Sequence, residues 1–438
     1  MINRVDKELM YIFSLIVVFL EVGGVYAFGA AFDALLEKYQ KDRSTTATVQ
    51  SLLLGVTLSF GVISGTLISR LGLPLVLLVS CILVPAGYCS SFFATRIEHL
   101  YVSIGIVSGI GVSLAYTSTS IVNCRLFTGQ KRDLYLSIYT SIIPFAGFVY
   151  PYILEWLIES YALNGTFLLL GAIYSNKIPF LIMCFRNRKY LAADEVPENN
   201  DIAGNETDAP MKKAKKGVII NAVQNFKKMM NITFSLILLA TAVSTAGTSG
   251  FMGLALDISL WKGFTKTQGL LTFVIYNIGN TLSRLVPGFL KQIQGVDFLM
   301  FSFISALAGC IGQLTFFFGS SYSAYLIGFC LTGLCFGGIV SSTALVLVEI
   351  VIPERLPIAM GITSTTCGIL SVSTGPFFGW LRDILGSYNL VIIIIATLQA
   401  ITAILLCIVL IYRRIDTNKK KKIQQERRNT VSCTVSEL

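Results

Sequence analysis

Apolar stretches of about twenty residues or more recur along the chain, separated by short polar connections. Twelve of them are long enough to cross a hydrocarbon core about 30 Å thick. They run roughly over 11–35, 47–69, 71–94, 100–124, 134–158, 164–185, 232–256, 268–290, 298–318, 323–348, 357–381 and 388–412. The pattern predicts an all-α membrane protein of twelve transmembrane helices. One connection, 186–231, is long and polar: an acidic stretch, Glu195–Pro210, precedes the cluster Lys212, Lys213, Lys215 and Lys216. It reads either as a linker lying against anionic lipid or as a charge that fixes topology. It divides the chain six plus six. The expected organisation is an N-terminal six-helix bundle (1–185), a cytoplasmic linker (186–231), a C-terminal six-helix bundle (232–412) and a basic cytoplasmic tail (413–438). Two pseudo-symmetric halves of this kind enclose a central site.

Composition agrees. Hydrophobic residues make up 54% and charged ones 13%, with a mean hydropathy of +0.72, far from a soluble chain of this length. The net charge of +10 suggests nucleic acid until its location is read. The N-terminus, the even-numbered connections and the tail hold 25 of the 34 Lys and Arg, and the odd-numbered connections hold 7. Basic residues favour the cytoplasmic side, so both termini are expected there, in the plasma membrane, with the bilayer as partner and no nucleic acid. Most of the ten cysteines lie inside apolar runs, no CxxC occurs, and His99 is the only histidine. A disulfide framework, structural zinc and His-dependent catalysis are therefore unsupported, and no cofactor is expected.

Arg284 is the least expected residue. It lies in the apolar run Leu270–Leu290, with no other charge between Lys266 and Lys291. Burying a guanidinium, which keeps its proton, costs roughly 2.5–3.5 kcal/mol on insertion scales. Asn280 stands one helical turn earlier on the same face. A fixed cation beside a neutral amide suits the forked recognition of a carboxylate; the structural alternative is that Arg284 snorkels to the cytoplasmic interface. Glu21, in the middle of the first run, shares a helical face with Val25, Phe28 and Phe32. It can pair with Arg284, carry a proton, bind a cationic group, or make a hydrogen bond between helices. Phe28, Tyr116, Tyr139, Tyr150, Tyr276 and Phe336 either line a cavity or pack between helices. Lys177 is expected to snorkel inward and Asp257 to sit at the outer interface. Glu155, Glu159, Arg382 and Asp383, at outer helix ends, are candidates for outer-gate pairs, and Glu349 with Arg355 for an inner one.

Several segments carry a resemblance. Gly375-Pro376-Phe377-Phe378-Gly379-Trp380-Leu381-Arg382-Asp383, continuing to Gly386-Ser387-Tyr388, resembles the eleventh span of the monocarboxylate transporter family of the major facilitator superfamily. Leu347-Val348-Glu349, Ala359-Met360-Gly361, Gly165-Thr166-Phe167-Leu168 and Tyr26-Ala27-Phe28-Gly29 are similar to family segments at corresponding places. The wider superfamily's loop after the second span keeps Gly65, Arg70 and Gly72, but Ser69 stands where an aspartate is usual. The family's first motif is reduced to Asp6, and its fifth-span motif to Leu126-Phe127, Lys131-Arg132 and Leu134.

The resemblance implies the twelve-helix major facilitator fold and an alternating-access carrier of a small organic anion or zwitterion. It also implies a single-span ancillary protein as partner. Arg284, Asn280, Glu21, Phe28 and Tyr276 are then the candidate substrate contacts, and Arg70, Gly65, Glu349, Arg355, Asp383, Gly375 and Pro376 the gating or structural residues. In proton-coupled members, a lysine occupies the position of Ala30 and an aspartate that of Asn280. Neither residue here titrates, so transport is expected to be facilitative or coupled through another acid. Ser436-Glu437-Leu438 is similar to a peptide for carboxylate-binding scaffold domains. The competing reading is a non-transporting sensor or trafficking protein on the same fold; a membrane-embedded enzyme lacks its residues.

Overall fold

The computed structural model describes residues 4–127, 129–192, 231–290, 297–319, 321–351 and 356–436. Arg355, Lys291, Lys212–Lys216, nearly all of the central connection and the last two residues lie outside the described residues. The described residues are helical almost throughout and contain no strand. In a bilayer core every backbone group must be satisfied within the protein, which a helix does unaided.

Among the described residues, eight helices are long and apolar enough to cross a membrane, or nine when Arg43–Ser59 and Gly61–Leu71 count as one span bent by 46°. One of the eight, Tyr135–Arg186, has 52 residues, enough for two crossings at 1.5 Å per residue. It is broken at Gly147–Val149 and again at Ala162, which takes φ 54° and ψ 170°. Two more, Lys266–Leu290 and Leu356–Leu385, have 25 and 30 residues, so they are long enough but more polar. These are the eighth and eleventh spans. With them the twelve expected spans are accounted for.

The first span is Arg4–Ala27, tightened into a 3₁₀ turn at Phe28–Ala31 and continued as Phe32–Tyr39. The third is Leu73–Ser90. The fourth opens with Ile97–Leu100 and a π-helical stretch, Tyr101–Ser108, before Gly109–Leu126. Gly129–Ala146 and Tyr150 onward form the fifth, and the sixth closes with Ile178–Arg186. Ile232–Gly253 with Ala255–Trp261 is the seventh, Phe298–Phe318 the ninth, Tyr322–Ile350 the tenth and Asn389–Ser436 the twelfth.

The first six spans pack on one another, as do the last six, and the second crosses the eleventh antiparallel over most of its length. Small residues allow that approach. A Cβ at Gly379 would lie 2.7 Å from the Ser44 nitrogen, and one at Gly375 would collide with Ser51. The resembling motif Gly375-Pro376-Phe377-Phe378-Gly379 is therefore the seam between the two halves. Thr365 completes it by donating to the Ser59 carbonyl at 3.2 Å. The fifth span lies along the eighth in the same antiparallel sense.

Candidate functional site

Arg284 sits at the second of these crossings. The tenth span presses glycines against the eighth there: Gly333 meets the Tyr276 carbonyl and Gly337 meets Asn280. This fixes the turn that carries Asn280. Asn280 then accepts from Arg284 Nε at 2.9 Å, as the i, i+4 spacing predicts. Across the seam, Arg284 Nη1 donates to the Thr140 carbonyl of the fifth span at 3.1 Å. The guanidinium lies 6.0 Å from the Phe336 ring, a cation–π distance. Phe336 in turn meets Tyr26 of the first span, at 6.0 Å between ring centroids, and Tyr276 of the eighth, at 6.4 Å. The arginine is 5% exposed, so it does not snorkel to an interface.

Every partner of Arg284 is therefore neutral. Among the described residues, no carboxylate lies within ion-pair distance of it. A guanidinium bound to a side-chain amide, a backbone carbonyl and a ring face keeps its full charge, and it retains further N–H donors for an anion.

Glu21 lies elsewhere. Its carboxylate is paired with Lys177 of the sixth span, inside the N-terminal helices, and not with Arg284. Lys177 also donates to Ser80 Oγ of the third span at 2.8 Å, and Ser80 donates to the Gly111 carbonyl of the fourth at 2.7 Å. Lys177 is 2% exposed, which corrects the expectation that it snorkels. A stem that turns inward to a buried carboxylate does not extend to the interface. The second carboxylate oxygen of Glu21 is buried without a hydrogen-bond partner.

The remaining candidates divide. Tyr276 lines the Arg284 cluster. Phe28 is buried in the 3₁₀ turn of the first span, within the main apolar cluster. Asp257 is buried and bound by Arg43 Nε at 2.6 Å and by the Tyr388 hydroxyl, which corrects its expected interfacial place. Asp383, a candidate for an outer-gate pair, accepts from the Arg43 backbone N–H at 2.9 Å and caps the start of the second span. Glu349 pairs with Arg413 at 3.2 Å, whereas its expected partner Arg355 lies outside the described residues. Pro376 sits inside the eleventh helix. Gly65 faces open space, and Arg70 is exposed with no carboxylate at ion-pair distance among the described residues. Arg43, Tyr388, Lys266 and Ser80 were missed. The available signal was Asp257 itself, an acid within an apolar run that demands a nearby cation.

A family model of the Major Facilitator Superfamily matches residues 14–369. The chain belongs to that superfamily. Monocarboxylate transporter 12 of Mus musculus is 22% identical over 397 residues, covering 86% of this chain and 79% of that protein. Monocarboxylate transporter 6 of Mus musculus is 22% identical over 388 residues, covering 86% and 81%. Monocarboxylate transporter 9 of Mus musculus is 33% identical over a shorter region of 158 residues, covering 36% and 31%. The resemblance expected from the eleventh-span motif is thus found over most of the chain, at the modest identity of a divergent member, and it supports a transporter.

Proposed function

We propose that the protein is an alternating-access carrier of a small organic anion or zwitterion, held through its carboxylate by Arg284. One observation carries this reading: a cation 5% exposed whose only partners among the described residues are neutral. Neutral partners offset its desolvation only in part, so the site favours a negatively charged group over a neutral one. Its place supports the same role, since Arg284 and Thr140 meet where a helix of one half touches a helix of the other. Relatives whose name is monocarboxylate transporter agree with a carboxylate ligand. Phe336, Tyr26 and Tyr276 supply a rigid apolar wall for the rest of the substrate.

Ala30 and Asn280 do not titrate, so uptake is facilitative or coupled through a different acid. The two moving bodies are 1–185 and 232–412, and the excess of basic residues in even-numbered connections supports cytoplasmic termini; the plasma membrane is the expected location. A single-span ancillary protein belongs to this reading through the family resemblance alone, and a scaffold domain at the C-terminus through the likeness of Ser436-Glu437-Leu438 to a scaffold-binding peptide.

The test is uptake of a panel of labelled monocarboxylates and zwitterions by cells expressing the full chain. Arg284→Ala, at equal surface level, should lose about tenfold or more of the uptake, and Arg284→Lys should regain only part, because an ammonium cannot replace the fork. Undiminished uptake by Arg284→Ala would remove the anchor. Under facilitative transport an inward proton gradient should leave wild-type uptake nearly unchanged, whereas stimulation that Glu21→Gln abolishes would assign the coupling to that acid.

A further inference from the structure

The ion pairs are distributed unevenly. Among the described residues, pairs that join the first six spans to the last six gather at one end, where the second span begins and the eleventh ends. Arg43 grips Asp257 of the seventh span with Nε at 2.6 Å and Nη2 at 3.3 Å, and reaches Asp383 of the eleventh at 3.6 Å. Asp383 in turn accepts from the backbone N–H groups of Arg43 and Ser44 at 2.9 and 3.3 Å, so it caps the second span's N-terminus. The Tyr388 hydroxyl donates to Asp257, and the Arg382 guanidinium lies 5.3 Å from the Tyr388 ring. On the opposite flank, Lys266 of the eighth span pairs with Glu155 of the fifth at 3.6 Å.

At the other end the described pairs stay within a half. Arg186 with Asp6 ties the sixth span to the first, and Arg413 with Glu349 ties the twelfth to the tenth. Accessibility does not separate the two ends, since Arg186 and Asp6 are 71% and 15% exposed and Arg413 and Glu349 32% and 39%, but it sets all of these pairs apart from the one sunk inside a half. The Arg43 side chain is 31% exposed and those of Lys266 and Glu155 are 40% and 20%, while Glu21 and Lys177, inside one half, are 1–2% exposed. Water can take over the partners of the first group as they part, but not those of the second.

We propose that Arg43, with Asp257, Asp383 and Tyr388, forms a breakable latch that holds the two halves together at the outer end and closes the path from outside to Arg284. The forked contact with Asp257 is the principal bond, because Asp257 is the most enclosed acid of the set and would be left unpaired by separation. Lys266 with Glu155 is a weaker second clasp. The latch rests on the two halves moving as proposed above. Its test uses no substrate, so failure of the carboxylate assignment and failure of the latch are separable.

Cys367 of the eleventh span supplies a native reporter. It is 5% exposed and lies near Tyr26, deeper than the latch along the same helix. Cells expressing the full chain are treated from outside with a membrane-impermeant thiol reagent, and the rate at which Cys367 is modified is followed, with Cys367→Ser as the control that removes the signal. Arg43→Gln and Asp257→Asn should each raise that rate about fivefold or more, and Lys266→Gln less, in keeping with partly exposed pairs. The exchange Arg43→Asp with Asp257→Arg should bring the rate back toward wild type. Where a neutral variant fails to reach the surface, Tyr388→Phe, which removes one hydrogen bond, replaces it and should still accelerate labelling. Wild-type rates in surface-expressed Arg43→Gln and Asp257→Asn, or in Tyr388→Phe standing in for them, would overturn the latch.

Discussion

Lys177 and Arg284 are both cations sunk in membrane-spanning helices, at 2% and 5% exposure, one in each half. Lys177 has a carboxylate, Glu21, and a hydroxyl, Ser80, and the three tie together the sixth, first and third spans. Arg284 has an amide, a carbonyl and a ring. The C-terminal half makes a tie like that of Lys177 without charge: Gln399 of the twelfth span accepts from Ser244 at 2.9 Å and donates to Thr248 of the seventh at 3.0 Å. One half therefore uses its buried charge to hold helices together. The other holds them with neutral hydrogen bonds and leaves its buried cation without a carboxylate partner among the described residues. The difference teaches that burial of a cation does not reveal its role; the charge of its partners does.

Substitutions can break this comparison in order of expected size. Lys177→Met alone strands the Glu21 carboxylate and should cost about 3–5 kcal/mol, seen as a large fall in melting temperature of the purified protein, whereas Glu21→Leu with Lys177→Met should recover most of it. A single variant as stable as wild type would mean the pair bears no structural weight. Arg284→Met should behave oppositely, with melting equal to or above wild type by about 1–3 kcal/mol while uptake is lost, since no acid is stranded. Asn280→Asp would give Arg284 the acid that it lacks. Uptake at neutral pH should fall by about tenfold and rise again as the medium is acidified, because protonation frees the guanidinium; a flat pH profile would count against competition for that cation. Smallest is Gln399→Ala, about 1–2 kcal/mol in thermal stability, the usual scale for neutral buried hydrogen bonds.

The helical frame was legible because twenty apolar residues in a row have few other fates, and the eighth and eleventh spans were recognisable by length and flanking charge despite their polarity. The Asn280–Arg284 contact was legible too, since it depends on helical spacing alone. Partners far apart in sequence were not. Glu21 meets Lys177 across 156 positions, and Asp257 meets Arg43 across 214. Depth in the membrane can be counted from a span's ends, but the direction in which a side chain points depends on how helices rotate as they pack. Two local departures worsen this. The 3₁₀ turn at Phe28–Ala31 and the π-helical stretch at Tyr101–Ser108 shift the faces of the first and fourth spans from ordinary α-helical register. Glu21 itself precedes the 3₁₀ turn and faces Lys177, whereas Tyr26 of the same span reaches the Phe336 ring beside Arg284.

The twelfth helix runs unbroken from Asn389 to Ser436, 48 residues, or about 72 Å, of which the hydrocarbon core accounts for only about 30 Å. About 40 Å of rod thus stands clear of the core, continuous with a span that packs on the seventh and ninth. Such a rod is a pointer. A tilt of about 10° at its root sweeps the tip through about 7 Å, given the rise of an α-helix. Distances between spin labels on the rod and on the ninth span should therefore change on adding substrate, and identical distance distributions would show that the root does not tilt. Motion too slight to see among the packed helices becomes, at the far end of the pointer, a displacement large enough for a neighbouring molecule to feel.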